Sequence, residues 1–114
     1  MRTRKNCSRA LKKSAASKRA NPPRSSDSTK AFKKDWARIS ASGRYDLHRL
    51  KEAMLLLIAN GTPLGPEWLD HPLKGEWADH RECHIGGDFL LIYLLQDEQI
   101  VFVRAGTHSE LFGG

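Results

Sequence analysis

The sequence predicts an α+β domain in which two N-terminal helices pack on one face of a small antiparallel β-sheet. Three observations predict it. Apolar residues recur at helical spacing over residues 30–60, strand-like apolar runs fill residues 81–105, and turn residues separate these segments. At 114 residues the chain has room for one small domain. Residues 1–28 stand in front of it as a basic extension, and residues 29–114 form the domain.

The extension is rich in Lys, Arg, Ser and Ala, with Leu11 the only large apolar residue after Met1 and Pro22-Pro23 near its end. Such a stretch buries too little apolar surface to offset its ordering entropy, so disorder is expected, with non-specific RNA binding as its available role. Charge is shared unevenly. Residues 1–30 hold ten Lys and Arg against Asp27 alone, whereas residues 31–114 hold nine against twelve acids. The net charge of +6 therefore belongs to the tail, and phosphate binding by the domain needs a local patch.

Phe32, Trp36 and Ile39 recur at i, i+4 and i+7, one face of a first helix with Ser28 or Thr29 as N-cap and Ser42-Gly43 as its end. Asp46 caps a second helix from Leu47 to Asn60, with Leu47, Leu50, Met54, Leu57 and Ile58 on its apolar face and Gly61 after it. Lys33, Lys34, Arg38 and Lys51 fall on the opposite faces, expected in solvent. A Pro- and Gly-rich connector runs from Gly61 through Trp68 to His71-Pro72. Arg81 to Ile85 reads as a short strand and Gly86-Gly87 as a tight turn. Phe89 to Gln96 is apolar on both faces and so central; Asp97-Glu98 turns into a last strand from Ile100 to Ala105. On the first strand Cys83 and Ile85 point one way, Glu82 and His84 the other. The helices are expected over the Cys83 face.

Two cysteines, Cys7 and Cys83, make no disulfide framework, and no apolar run reaches membrane-spanning length. The basic N-terminus lacks the apolar segment of a secretory signal. A reduced, cytoplasmic setting without membrane contact is the expectation.

Three histidines stand at element ends: His71 in Asp-His-Pro, His84 in Arg-Glu-Cys-His, and His108 in Gly-Thr-His-Ser. Singly, each has a plain structural reading as a loop, strand or turn residue. Together the meander brings them to one groove with Glu82 and Asp88, groups that move protons near neutral pH. Zinc is disfavoured, because adjacent Cys83 and His84 point to opposite faces and no Cys-x-x-Cys pair exists. A serine nucleophile would need Gly-x-Ser-x-Gly, which is absent. Metal-free RNA cleavage fits better, since the 2′-hydroxyl is the nucleophile and the protein supplies base, acid and cations. Arg81, Arg104 and Lys74 are the candidates for phosphate, Phe89 and Phe112 for base stacking.

These motifs also carry a resemblance. Asp-His-Pro-Leu-x-Gly-x-Trp, Arg-Glu-Cys-His, Asp-(aromatic)-Leu-Leu-Ile-Tyr and Arg-x-Gly-Thr-His-Ser-x-Leu-Phe, in this order over residues 30–113, resemble the YafQ-type branch of the RelE/ParE toxin superfamily. The resemblance implies a type II toxin–antitoxin toxin, a ribosome-dependent endoribonuclease that cuts mRNA. It further implies a cognate antitoxin that blocks it and supplies the contact to operator DNA. The family's active-site residues fall on His71, His84, His108, Glu82 and Asp88, its aromatics on Phe89 and Phe112, with no cofactor. Phe89 replaces the usual Trp, and Gly86-Gly87 stands where an acid and Pro are common. The family's opening strand has only the polar stretch Arg24 to Ser28 to form it, and is expected to add little. Two other readings stay open: a non-enzymatic, ParE-like binder of a protein such as a gyrase, and a plain RNA-binding module.

Overall fold

The computed structural model describes residues 21–61 and 63–113. In chain order these form β1 (Ser25–Ser28), α1 (Lys30–Ser42), α2 (Leu47–Ala59), β2 (His71–Pro72), β3 (His80–Gly86), β4 (Phe89–Gln96), β5 (Gln99–Thr107) and α3 (His108–Phe112). Short 3-10 turns at Pro66–Trp68 and Gly75–Trp77 flank β2. The greater part of the basic extension, with Cys7 and Leu11, lies outside the described residues.

Local chemistry sets the helix ends. The Thr29 hydroxyl accepts from the Phe32 amide, and Asp46 accepts from Arg49, each satisfying an amide that the first helical turn leaves unpaired. Gly43 closes α1 at φ 72°. Asn60 itself takes the left-handed cap of α2 at φ 57°, one residue before the glycine expected there, because Asn tolerates this conformation.

The sheet order is β1-β5-β4-β3-β2. Apolar β4 is central, as its two-faced hydrophobicity predicts. One feature differs from the expectation: the sheet is mixed, because β1 pairs parallel to β5 from Ser25 opposite Gln99 to Ser28 opposite Phe102. Composition put these serines in the stretch expected to be disordered, whereas the resemblance put the opening strand there, and the strand forms. Backbone hydrogen bonds suffice for them. Ser25 donates to the Glu98 carbonyl and Thr29 to that of Phe102, while the Arg24 amide and guanidinium tie the entry to the carbonyls of Ile58 and Leu57.

α1 and α2 cover one face, where Phe32, Ile39, Leu50 and Leu57 pack on Cys83, Leu91, Tyr93 and Phe102. On the other face Leu90, Ile92 and Leu111 form a smaller cluster with Leu73, Trp77, Val103 and Phe112. That second cluster is what gives the outward side of the sheet a floor. No helix among the described residues is long and apolar enough to cross a membrane.

Candidate active site

β3 delivers the central carboxylate. The two-residue strand β2 sets His71 directly opposite Glu82. His71 Nδ1 lies 2.7 Å from the Leu69 carbonyl, which only accepts, so Nδ1 carries a proton and donates it there. Nε2 is thereby turned on Glu82, 3.2 Å from Oε2. His84, two residues along the same face, places its Nε2 3.5 Å from that same oxygen, and the two imidazole rings stand 5.9 Å apart. A lone pair facing a carboxylate cannot bond without a proton between them, so these contacts have the geometry to share one. Glu82 is buried at 6 % exposure beneath two half-buried rings.

The second group sits across one side chain. His84 pairs with Leu90 in register, and Leu90 packs against Leu111 of α3. Thr107 caps α3, so that His108 begins it, exposed, with its amide donating to Asp88 Oδ1 at 3.3 Å. The His108 ring lies 4.9 Å from Phe112. Phe112 meets Trp77 edge-on at 5.9 Å, and Trp77 meets His80 at 5.4 Å. An aromatic row thus runs beside the Leu90 cluster.

The structure brings together His71, Glu82 and His84, and separately His108, Asp88 and Phe112. Lys74 is exposed at the start of the turn that carries Trp77. Three expected site residues are placed elsewhere. Arg81 has the parity of Cys83, not of Glu82, and donates to Asp70 at 3.1 and 3.4 Å beside Tyr93. Arg104 binds Asp35 of α1 through Nε at 2.7 Å and Nη2 at 3.2 Å. β1 leaves β5 at Phe102, so the edge beyond it is open to α1, and Asp35 is what Arg104 meets there. Phe89 shares the face of Leu91 and Tyr93, is buried, and packs on Tyr45 at 4.9 Å, so its ring is closed to a base.

Residues that sequence reasoning missed are Asp35, Trp77 and His80. Alternation on β3 was the available signal for His80, which shares a face with Glu82 and His84. Nothing local marked Asp35. Burial works against its charge, but hydrogen bonds from Arg104, the Ala105 amide and Arg38 outweigh it and hold the carboxyl below its ordinary range.

His71, Glu82 and His84 also offer one ligand atom each within 4.8 Å of one another. Two imidazoles and a carboxylate suit Cu(II), Ni(II) or Zn(II), so the set fits such an ion. The sequence argument against zinc concerned Cys83, which takes no part: it is fully buried on the other face, and burial pushes its thiol up to about 12. The converging set was hidden because His71 joins it only through the β2–β3 pairing.

Comparison with known proteins places this geometry. The family model described as the bacterial toxin of type II toxin-antitoxin systems, YafQ, matches residues 24–113. The mRNA interferase toxin YafQ of Escherichia coli K12 is 42% identical over 82 residues, 72% of this chain and 88% of that protein. YafQ in the crystal structure of the E. coli DinJ-YafQ toxin-antitoxin complex superposes with a TM-score of 0.72 at 38% identity, over 80% of this chain and 99% of that one. A copper-bound mutant toxin from Helicobacter pylori superposes with a TM-score of 0.71 at 39% identity, over 78% of this chain and 99% of the other.

Proposed function

This chain belongs to the YafQ family of type II toxin–antitoxin toxins, and we propose that it cuts mRNA on the ribosome by metal-free acid–base catalysis, the substrate's own 2′-hydroxyl acting as nucleophile. The observation that carries this reading is the convergence of two imidazole nitrogens on one buried carboxylate oxygen, on the face that also presents His108. His84, oriented by Glu82, takes the 2′-hydroxyl proton, and His71 with its shared proton stabilises the developing phosphorane charge. His108 protonates the leaving 5′-oxygen. Lys74 is the exposed cation left for the phosphate, and Phe112 and Trp77 border the bases.

Dependence on the ribosome follows from charge. Residues 31–114 carry three more acids than Lys and Arg, and Arg81 and Arg104 are engaged by Asp70 and Asp35, so free RNA finds little to hold it. The ribosome supplies the positioning instead. A cognate antitoxin silences the chain, as the DinJ-YafQ complex suggests by analogy. An ion on His71, Glu82 and His84 would occupy the lone pairs that proton transfer needs, so metal binding and cleavage compete.

The test is cleavage of a defined mRNA with and without ribosomes. Parent protein should cut only the ribosome-bound message. His108→Gln should lower turnover by roughly 10²–10⁴, because glutamine hydrogen-bonds but does not titrate. Parent-rate cleavage by His108→Gln, or equal cleavage of free RNA, overturns the corresponding part of the proposal.

A further inference from the structure

His108 stands on a five-residue helix whose hold on the domain is its own puzzle, since so short a helix cannot fix a side chain by itself. Its backbone is gripped at two points. The His108 amide donates to Asp88 at the β3–β4 turn. The preceding Thr107 amide donates to Glu110 Oε1 at 2.8 Å, and the Glu110 amide returns a bond to the Thr107 hydroxyl at 3.2 Å.

Both grips lead to one residue in the α1–α2 connection. The Tyr45 hydroxyl donates to Glu110 at 2.9 Å from Oε2 and 3.1 Å from Oε1. The Tyr45 ring packs on Phe89, the neighbour of Asp88, at 4.9 Å between centroids. Arg38 completes the arrangement, joining Glu110 Oε2 at 3.0 Å to Asp35 at 3.0 Å. A Cβ at Gly106 would come within 2.7 Å of Glu110 Oε1 and 3.3 Å of the Arg38 guanidinium, so both side chains lie close against the backbone there.

We propose that Tyr45 is a positioning residue for His108: its hydroxyl fixes Glu110 and its ring fixes the Phe89-Asp88 corner, which together set where the His108 imidazole stands. This rests on the reading of His108 as the general acid. It explains why Phe89 is aromatic though closed to bases, because its partner is a phenol ring. It also gives the Arg38–Glu110 pair a task at the site, although neither side chain belongs to the histidine trio.

The experiment uses the full chain with Tyr45→Phe, which keeps the ring and removes the hydroxyl, and Tyr45→Leu, which removes both. Small displacements of a reacting group cost rate steeply, so Tyr45→Phe should lower kcat by about 10-fold with KM within about 2-fold, and Tyr45→Leu by more. Neither should lower the residual rate of His108→Ala further, because Tyr45 acts through that imidazole. Independently of any cleavage, amide exchange at Thr107 and His108 should quicken by about 10-fold in Tyr45→Phe while the α1 amides keep the parent rate. Parent kcat in Tyr45→Phe, or an added loss on the His108→Ala background, overturns the proposal. If the parent cuts no RNA, the functional reading fails, and the exchange rates alone decide whether Tyr45 holds the His108 segment.

Discussion

Two carboxylates lie at nearly equal depth in this fold, Asp35 at 4 % exposure and Glu82 at 6 %, and their surroundings are opposite in kind. Asp35 meets two guanidinium groups and a backbone amide, all permanent donors. It ties α1 to the open edge of β5 and has no reason to change state at neutral pH. Glu82 meets two imidazoles, His71 and His84, and no guanidinium. A buried carboxylate among arginines is a clamp; among histidines it is, in the function proposed above, part of a proton relay. The depth is the same, and the partner's chemistry decides the role.

Substitutions should separate the two. His84→Gln and Glu82→Gln should each cut turnover by roughly 10²–10⁴, since each removes a proton carrier or its orienting group. Glu82→Gln should leave the unfolding free energy in urea within about 1 kcal/mol of the parent, as glutamine still bonds an imidazole. Asp35→Ala should do the reverse of this in stability. Stripping one partner from a buried ion pair leaves Arg104 uncompensated, and a loss of about 3 kcal/mol in urea unfolding is expected. If Asp35→Ala unfolds at the parent midpoint, the clamp is not one.

The pH dependence sharpens the contrast with a smaller effect. Burial opposes the Asp35 charge, but Arg104, the Ala105 amide and Arg38 lower its carboxyl in the folded state. Its contribution is therefore fully present above the unfolded value of about 3.9 and lost as pH falls through the lower folded value. Glu110, lowered against burial by the Thr107 amide, Tyr45 and Arg38, adds in the same direction. Thermal unfolding of the parent should weaken progressively from pH 5 towards pH 2, and Asp35→Asn should flatten part of that slope. An identical slope would assign acid lability to other carboxylates. The smallest effect should come from chelation: chain treated with EDTA and then freed of it should cut the ribosome-bound message at the parent rate, while Cu(II) loaded on the chain lowers that rate by binding the trio.

The legible parts of the molecule are those encoded over short spans. Thr29, Gly43 and Asp46 mark helix ends, and the unbroken run from Phe89 to Leu95 marks the central strand. β1 was legible only through the family resemblance, because Ser25 to Ser28 contribute almost nothing by side chain and join the sheet by backbone bonds to β5. Strand parity separates Arg81 from Glu82, a signal that the expectation of Arg81 at the phosphate left unused, and the structure sets Phe89, expected against a base, in the core with Leu91 and Tyr93. Arg104 could not be placed that way, since its partner Asp35 is 69 positions away. His71, Glu82, His84 and His108 were legible as residues, but the shared oxygen between two imidazoles depends on a two-residue strand that no pattern announces.

The central claim is that this face moves the proton of a substrate 2′-hydroxyl. The most direct measurement is cleavage of a ribosome-bound mRNA carrying a single 2′-deoxy ribose on the 5′ side of the cut. The account predicts that the unmodified message yields an upstream fragment ending in a 2′,3′-cyclic phosphate or its opened product, and that the deoxy message stays whole at that position. Parent-rate cutting of the deoxy message, leaving a 5′-phosphate on the downstream fragment, would show that water is the nucleophile and would contradict it.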